Sequence, residues 1–183
     1  MNKKLTLRKQ LICGIFAAVI AILTQISIPL PSGVPFTMQV FAILLTAIVL
    51  GPRLGTISVL VYILVGAIGA PVFTLFRGGY QMLAGATGGY LIAYPFTAAI
   101  LGYFSYKYKK NHFMIFLGGI LGLALCYIVG TTQLALVLNL TPKAAIMAGT
   151  IPFIPFDIMK LVLAIILGIT LKSRLEKMNL LRD

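Results

Sequence analysis

The sequence predicts an all-α membrane protein, with six transmembrane helices forming one domain over residues 1–183. Three observations lead there. Of 183 residues, 60% are hydrophobic and 10% charged, with a mean hydropathy of +1.06, whereas a soluble domain carries about 25% charged residues. Apolar runs of spanning length are punctuated by proline, glycine or basic residues. The basic residues also collect in alternate loops, as in a chain threading a bilayer.

The first helix is expected at roughly 10–28. Its start, "MNKKLTLRKQLICGIFAAVIAILTQ", has the basic head and apolar core of a signal peptide. The core is long, however, and no small-x-small cleavage site follows, so it reads as a retained helix. Helices two and three, about 36–50 and 54–69, are short and joined by "GPRLG". Proline and two glycines there stop a helix abruptly and favour an antiparallel hairpin. Helix four is expected over about 82–106, helix five over 112–138 and helix six over 151–172. Pro152 and Pro155 suit the first turn of that last helix, because proline is tolerated there and breaks later turns.

In this topology Lys3, Lys4, Arg8, Lys9, Arg53, Lys107, Lys109, Lys110, Lys172, Arg174, Lys177 and Arg182 all fall on one side. Positive charge marks the cytoplasmic face, which puts both termini inside. The opposite loops keep only Arg77 and Lys143, and Lys160 lies within a span. The net charge of +12 therefore reads as membrane anchoring. No basic, aromatic-laced patch lies outside the spans, so nucleic acid is not an expected partner.

Other function classes recede in turn. There is no G-x-x-x-x-G-K-[ST] phosphate loop, so any ATP-driven step belongs to another chain. Cys13 and Cys126 lie inside apolar runs and read as packing residues, with no metal site expected. His112, the sole histidine, is placed at the cytoplasmic mouth of helix five, far from the one intramembrane acid. No nucleophile–base or paired-carboxylate set converges, so the chain is not expected to be an enzyme and needs no cofactor.

The candidate site lies on the external side. The loops at about 29–35, 70–81 and 139–150 are rich in proline and glycine and poor in charge, as expected of chain folded back over helix ends. Among the three acids of the chain, Asp157 alone precedes the C-terminal tail, and it sits three residues before Lys160. A charge at mid-membrane costs roughly 2.5–3.5 kcal/mol on insertion scales and usually faces a substrate path. A self-neutralising pair between helices is the alternative. Arg77, before Gly78 and Gly79, could reach an acidic or carbonyl ligand. Asp157, Lys160 and Arg77 sum to +1, with Phe36, Phe73, Tyr80 and Phe156 expected around them. Together they suit a small, largely apolar monoanion that also offers N–H donors.

At these residues the chain resembles the BioY family, the biotin-binding S components of energy-coupling factor (ECF) transporters. The resemblance rests on "IPLPSGVPFTMQVFAILL", "GPRLGTISVLVYILVGAIGAPVF", "RGGYQMLAGATGGYLIAYP" and "IPFIPFDIMK". Ala86 stands where proline is common in the family, and Arg77 holds a position that is open to a neutral polar residue in other members. The resemblance implies the S-component fold and biotin as the bound substrate. It assigns Asp157 and Lys160 to the ureido or carboxylate groups, without deciding between them. It adds Gln39, Gly78, Gly79 and Tyr90 from matched segments. It further implies three partner chains, a membrane T component and two cytoplasmic ATPases. On helix one Gly14, Ala17, Ala18 and Ala21 form a small-residue strip of the kind that lets helices approach in lipid. By the resemblance, Ala17 and Ala21 would meet the T component. The rival expectations are an S component for another vitamin, a stand-alone facilitator, and an intramembrane enzyme.

Overall fold

In the computed structural model, which describes residues 6–30, 34–178 and 180, the chain is mostly helical. Lys3, Lys4, Arg182 and part of the first external loop lie outside the described residues. Helix α1 spans Leu7–Thr24. It ends before the expected 28 because Ser27–Ile28 (β1) pairs antiparallel with Phe36–Thr37 (β2). That pairing also delays the next helix, α2, to Gln39–Ala67.

Helix α2 is two helices in one. At Gly51 the backbone takes φ 76° and ψ −173°, a conformation open essentially to glycine alone, and Pro52 starts the return arm. Gln39 and Tyr62 then meet at 2.7 Å, which a straight helix would hold some 35 Å apart at about 1.5 Å per residue. The expected hairpin is therefore present, with arms at 39–50 and 52–67. Gly102 of a later helix presses on this reversal: a Cβ there would lie 2.7 Å from the Gly51 and Pro52 backbone.

Beyond the hairpin come a single 3₁₀ turn, Thr74–Phe76, and a short α3, Gln81–Ala84, before α4 at Gly88–Lys107. The expected continuous helix over 82–106 is thus broken. Gly85 is extended at the break, and the side chain of Gln133 caps the interrupted turn by donating to the Leu83 and Gly85 carbonyls at 2.7 and 2.8 Å. Helix α5 spans His112–Leu138, capped by the Asn111 side chain and closed by a left-handed Asn139. The segment 139–150, expected as a loop, contains α6, Pro142–Gly149, with Thr141 as its N-cap. Helix α7, Ile154–Lys177, outruns its expected end at 172.

The α2 hairpin is the hub, packing on α1, α4 and α7, while α4 lies along α5. Helices α1, α2, α5 and α7 are long and apolar enough to cross a membrane. Leu11, Ile15, Leu121, Ile128, Ile166 and Leu167 are large and exposed on the outer faces, where lipid rather than water is the compatible neighbour. On α1 the small residues divide. Ala17 is 7% exposed and belongs to the core, and Ala21 packs against that core. Ala21 stays half-exposed, and Gly14 and Ala18 are exposed on the outer side of the helix.

Two ends of the bundle differ in chemistry. Lys109 sits 3.7 Å from Glu176 and Lys172 donates to Ser105 at 3.3 Å, tying the end of α7 to the α4–α5 turn. Arg53 lies at the reversal of the hairpin on this same side. The opposite end gathers β1–β2, the 72–77 loop and the starts of α4 and α7.

Candidate functional site

At that second end lies a cavity of about 290 Å³, lined in part by Thr37, Gln39, Phe73, Tyr94, Asp157 and Lys160. The first turn of α7 supplies Asp157, and the next turn supplies Lys160 on the same face. They are 4% and 2% exposed. Lys160 Nζ donates to Asp157 Oδ1 at 2.8 Å and to the Thr37 carbonyl at 2.7 Å. The same ammonium lies 4.1 Å from the centroid of the Phe36 ring, which is braced edge-on by Phe156 at 5.1 Å. Tyr127 of α5 donates to Asp157 Oδ2 at 2.7 Å.

The pair is thus neutralised internally, as a structural ion pair would be, and it also faces the cavity. These two roles are compatible. Buried charges are tolerable only when paired and hydrogen-bonded. Each carboxylate oxygen here takes one donor, whereas a carboxylate can accept about four. Acceptor capacity therefore remains for an N–H group arriving from the cavity.

A second network stands beside the first. Gln39 Nε2 donates to Tyr62 Oη at 2.7 Å, and Tyr62 Oη donates on to the Val72 carbonyl at 3.3 Å. A third fixes the approach to α7. Tyr90 Oη donates to the Gly149 carbonyl at 2.8 Å, and Thr131 meets Thr150 at 2.7 Å. Gln39 and Tyr90 both line the cavity, so each expected side chain is present while already serving the framework.

Arg77 lines the cavity at its exposed rim. Its guanidinium has no hydrogen-bond or ion-pair partner among the described residues. Gly78 and Gly79, expected alongside it, do not line the cavity. A Cβ on Gly78 would collide with the Ala70 carbonyl, and Gly79 has φ 99° while its N–H donates to Gly66 at 2.7 Å. Both are turn formers that fold the loop back on the hairpin. Tyr80, expected near the ligand, is 77% exposed and outside the lining. Cys13 and Cys126 are free, buried thiols.

Sequence reasoning missed Tyr127, Tyr94 and the Thr37 carbonyl. A tyrosine midway along an apolar span was the available signal, since its hydroxyl needs a partner once buried.

The BioY family profile matches residues 1–177. This chain belongs to the BioY family. It is similar to the biotin transporter BioY of Thermotoga maritima, 42% identical over 167 residues that cover 91% of this chain and 97% of that protein. It is also similar to biotin transporter BioY2 of Lactococcus lactis, at 34% identity over 163 residues and 89% of each chain. The crystal structure of the S-component for biotin from an ECF-type ABC transporter superposes with a TM-score of 0.84 at 30% identity, covering 94% of this chain and 95% of that one. The chain therefore has the ECF S-component fold. Of the BioY motif segments read from the sequence, "IPFIPFDIMK" delivers its acid and its base to the cavity wall.

Proposed function

We propose that this chain binds biotin at the external face of a bacterial cytoplasmic membrane, as the substrate-binding subunit of an ECF-type transporter. The observation that carries this is the division of polar groups in the cavity. A neutral, hydrogen-bonded acid–base pair stands on the α7 wall, and a lone guanidinium stands at the rim. Biotin offers the complementary set: a ureido ring with two N–H donors and one carbonyl, an apolar thiolane, and a carboxylate on a flexible tail. The ureido N–H groups turn toward Asp157, with Lys160 and Gln39 nearby as donors for the carbonyl. The thiolane packs on Phe73, Leu123 and Tyr94. The carboxylate reaches Arg77, where a charge-assisted pair forms in partial contact with water. A volume near the small end of the roughly 300–1,000 Å³ typical of small-molecule pockets suits a ligand of this size.

In this reading the chain crosses the membrane six times, the short hairpin arms included, with both termini cytoplasmic. The basic end of the bundle faces the cytoplasm. Energy comes from a T component and two ATPases. The exposed Gly14 and Ala18 on α1 give the T component a surface of close approach, in place of Ala17 and Ala21. The chain performs no catalysis.

Isothermal titration of the purified protein against a panel of vitamins tests the substrate. Biotin is expected to saturate one site per chain while the other vitamins give no heat. Saturation by another vitamin, with biotin silent, would reassign the site.

A further inference from the structure

The loop that carries Arg77 is tied down from the end of α1. The chain from 68 to 80 has little regular structure, and its central turn is unfavourable for the residues it uses. Leu75 and Phe76 hold φ of 60° and 55°, a left-handed conformation that costs roughly 1–2 kcal/mol per non-glycine residue. Besides the bonding of the 3₁₀ turn itself, Phe73 N–H donates across it to the Arg77 carbonyl at 2.9 Å. The remaining restraints come from outside, and one side chain supplies most of them.

Gln25 follows the last residue of α1. Its Nε2 lies 3.1 and 3.2 Å from the Val72 and Phe73 carbonyls and 3.0 Å from that of Ala21 on α1, with one of its two hydrogens shared between acceptors. Its Oε1 accepts from Phe76 N–H at 2.9 Å. The amide thus grips the loop on both sides of the strained turn. Tyr62 reinforces it, donating to Val72 and holding the Phe73 ring edge-on at 5.5 Å. Phe73, Thr74, Leu75 and Arg77 all line the cavity from this loop. Because no side-chain partner of the guanidinium is found among the described residues, the point from which Arg77 extends over the rim depends on the backbone that Gln25 bonds.

We propose that Gln25 is a positioning residue for substrate binding: by latching the 72–76 turn to α1 it holds Arg77 over the cavity and so sets the preference for an anionic ligand over its uncharged ester. This rests on the reading of Arg77 as the carboxylate's partner. The near-isosteric Gln25→Leu variant removes the latch, and it is tested on the purified full chain with biotin and biotin methyl ester. Biotin affinity is expected to fall on the order of ten-fold, the scale of one hydrogen bond to a charged group, with a faster off-rate. The ester should change by less than about two-fold on the same scale, so the discrimination collapses. Equal weakening of both ligands would show a general structural prop, and unchanged biotin affinity would show no role; either overturns the proposal. Amide hydrogen exchange on ligand-free protein supplies a readout independent of biotin. Exchange at Phe76 and its neighbours should accelerate in the variant, and unaltered protection there also overturns the latch. Wild-type protein that ignores biotin would sink the substrate assignment alone, leaving the exchange result to judge the latch. Gln25→Met repeats both measurements should the leucine variant fold poorly.

Discussion

At Asp157 one carboxylate answers to two demands. It neutralises a buried ammonium through Oδ1 and takes the Tyr127 hydroxyl on Oδ2, yet it keeps lone pairs for a ligand. Asp157→Asn should therefore weaken biotin binding at least about ten-fold, because hydrogen bonds to a charged group contribute roughly 1.5–3 kcal/mol. The substitution also leaves Lys160 uncompensated, and breaking a buried pair costs about 3–5 kcal/mol. A lowered melting temperature should accompany the affinity loss, so titration and thermal unfolding are read together. Wild-type affinity in a stably folded variant would remove Asp157 from the site. The sequence exposed this residue because an acid is so rare in an apolar helix. Tyr127 stayed hidden, since tyrosine sits comfortably in many environments and only the packing of α5 on α7 reveals its partner.

Among the elements, α5 was legible to the residue because its apolar run is long enough to stand out despite the Thr131–Gln133 stretch inside it. The α2 hairpin was legible too, through Gly51 and Pro52. The break between α3 and α4 was not: the "GATGGY" run keeps enough apolar neighbours to look continuous, and its cap, Gln133, lies some 45 residues away. Helix α6 carries its own signals in Thr141 and Pro142 but is too short to stand out by periodicity. The spacing of small residues on α1 left the choice of face open, and burial separates them: Ala17 lies in the core while Ala18 is exposed. Ala18→Trp should leave biotin binding intact and abolish uptake in cells that express the partner chains. Ala17→Trp, by contrast, overpacks the core against α2 and should lower stability by roughly 1–3 kcal/mol. Normal uptake with Ala18→Trp would remove this face from the docking surface.

Across the whole molecule the two ends carry opposite duties. The cavity end is closed by β1–β2 and the 72–77 loop and holds few basic residues. The far end gathers Arg53, Lys107, Lys109, Lys110, Lys172, Arg174 and Lys177. Charge segregation of this kind was readable from the sequence, since it needs only the number of crossings between basic clusters. The convergence of five separate segments on one cavity was not, because it depends on how α4, α5 and α7 arrange themselves around the hairpin. The orientation predicts that a cysteine replacing Lys143 reacts with an impermeant maleimide added outside intact cells. One replacing Lys110 should react only after the membrane is opened. The reverse labelling pattern would invert the topology and place the cavity on the cytoplasmic side.

The central claim is that the α7 acid–base pair faces its ligand, and a crystal structure of the protein grown with biotin tests it most directly. Electron density for the ureido ring is expected beside Asp157 and Tyr127, with the carboxylate at Arg77. Biotin bound elsewhere, while Asp157 and Lys160 stay bonded only to one another and to Tyr127 and Thr37, would contradict it.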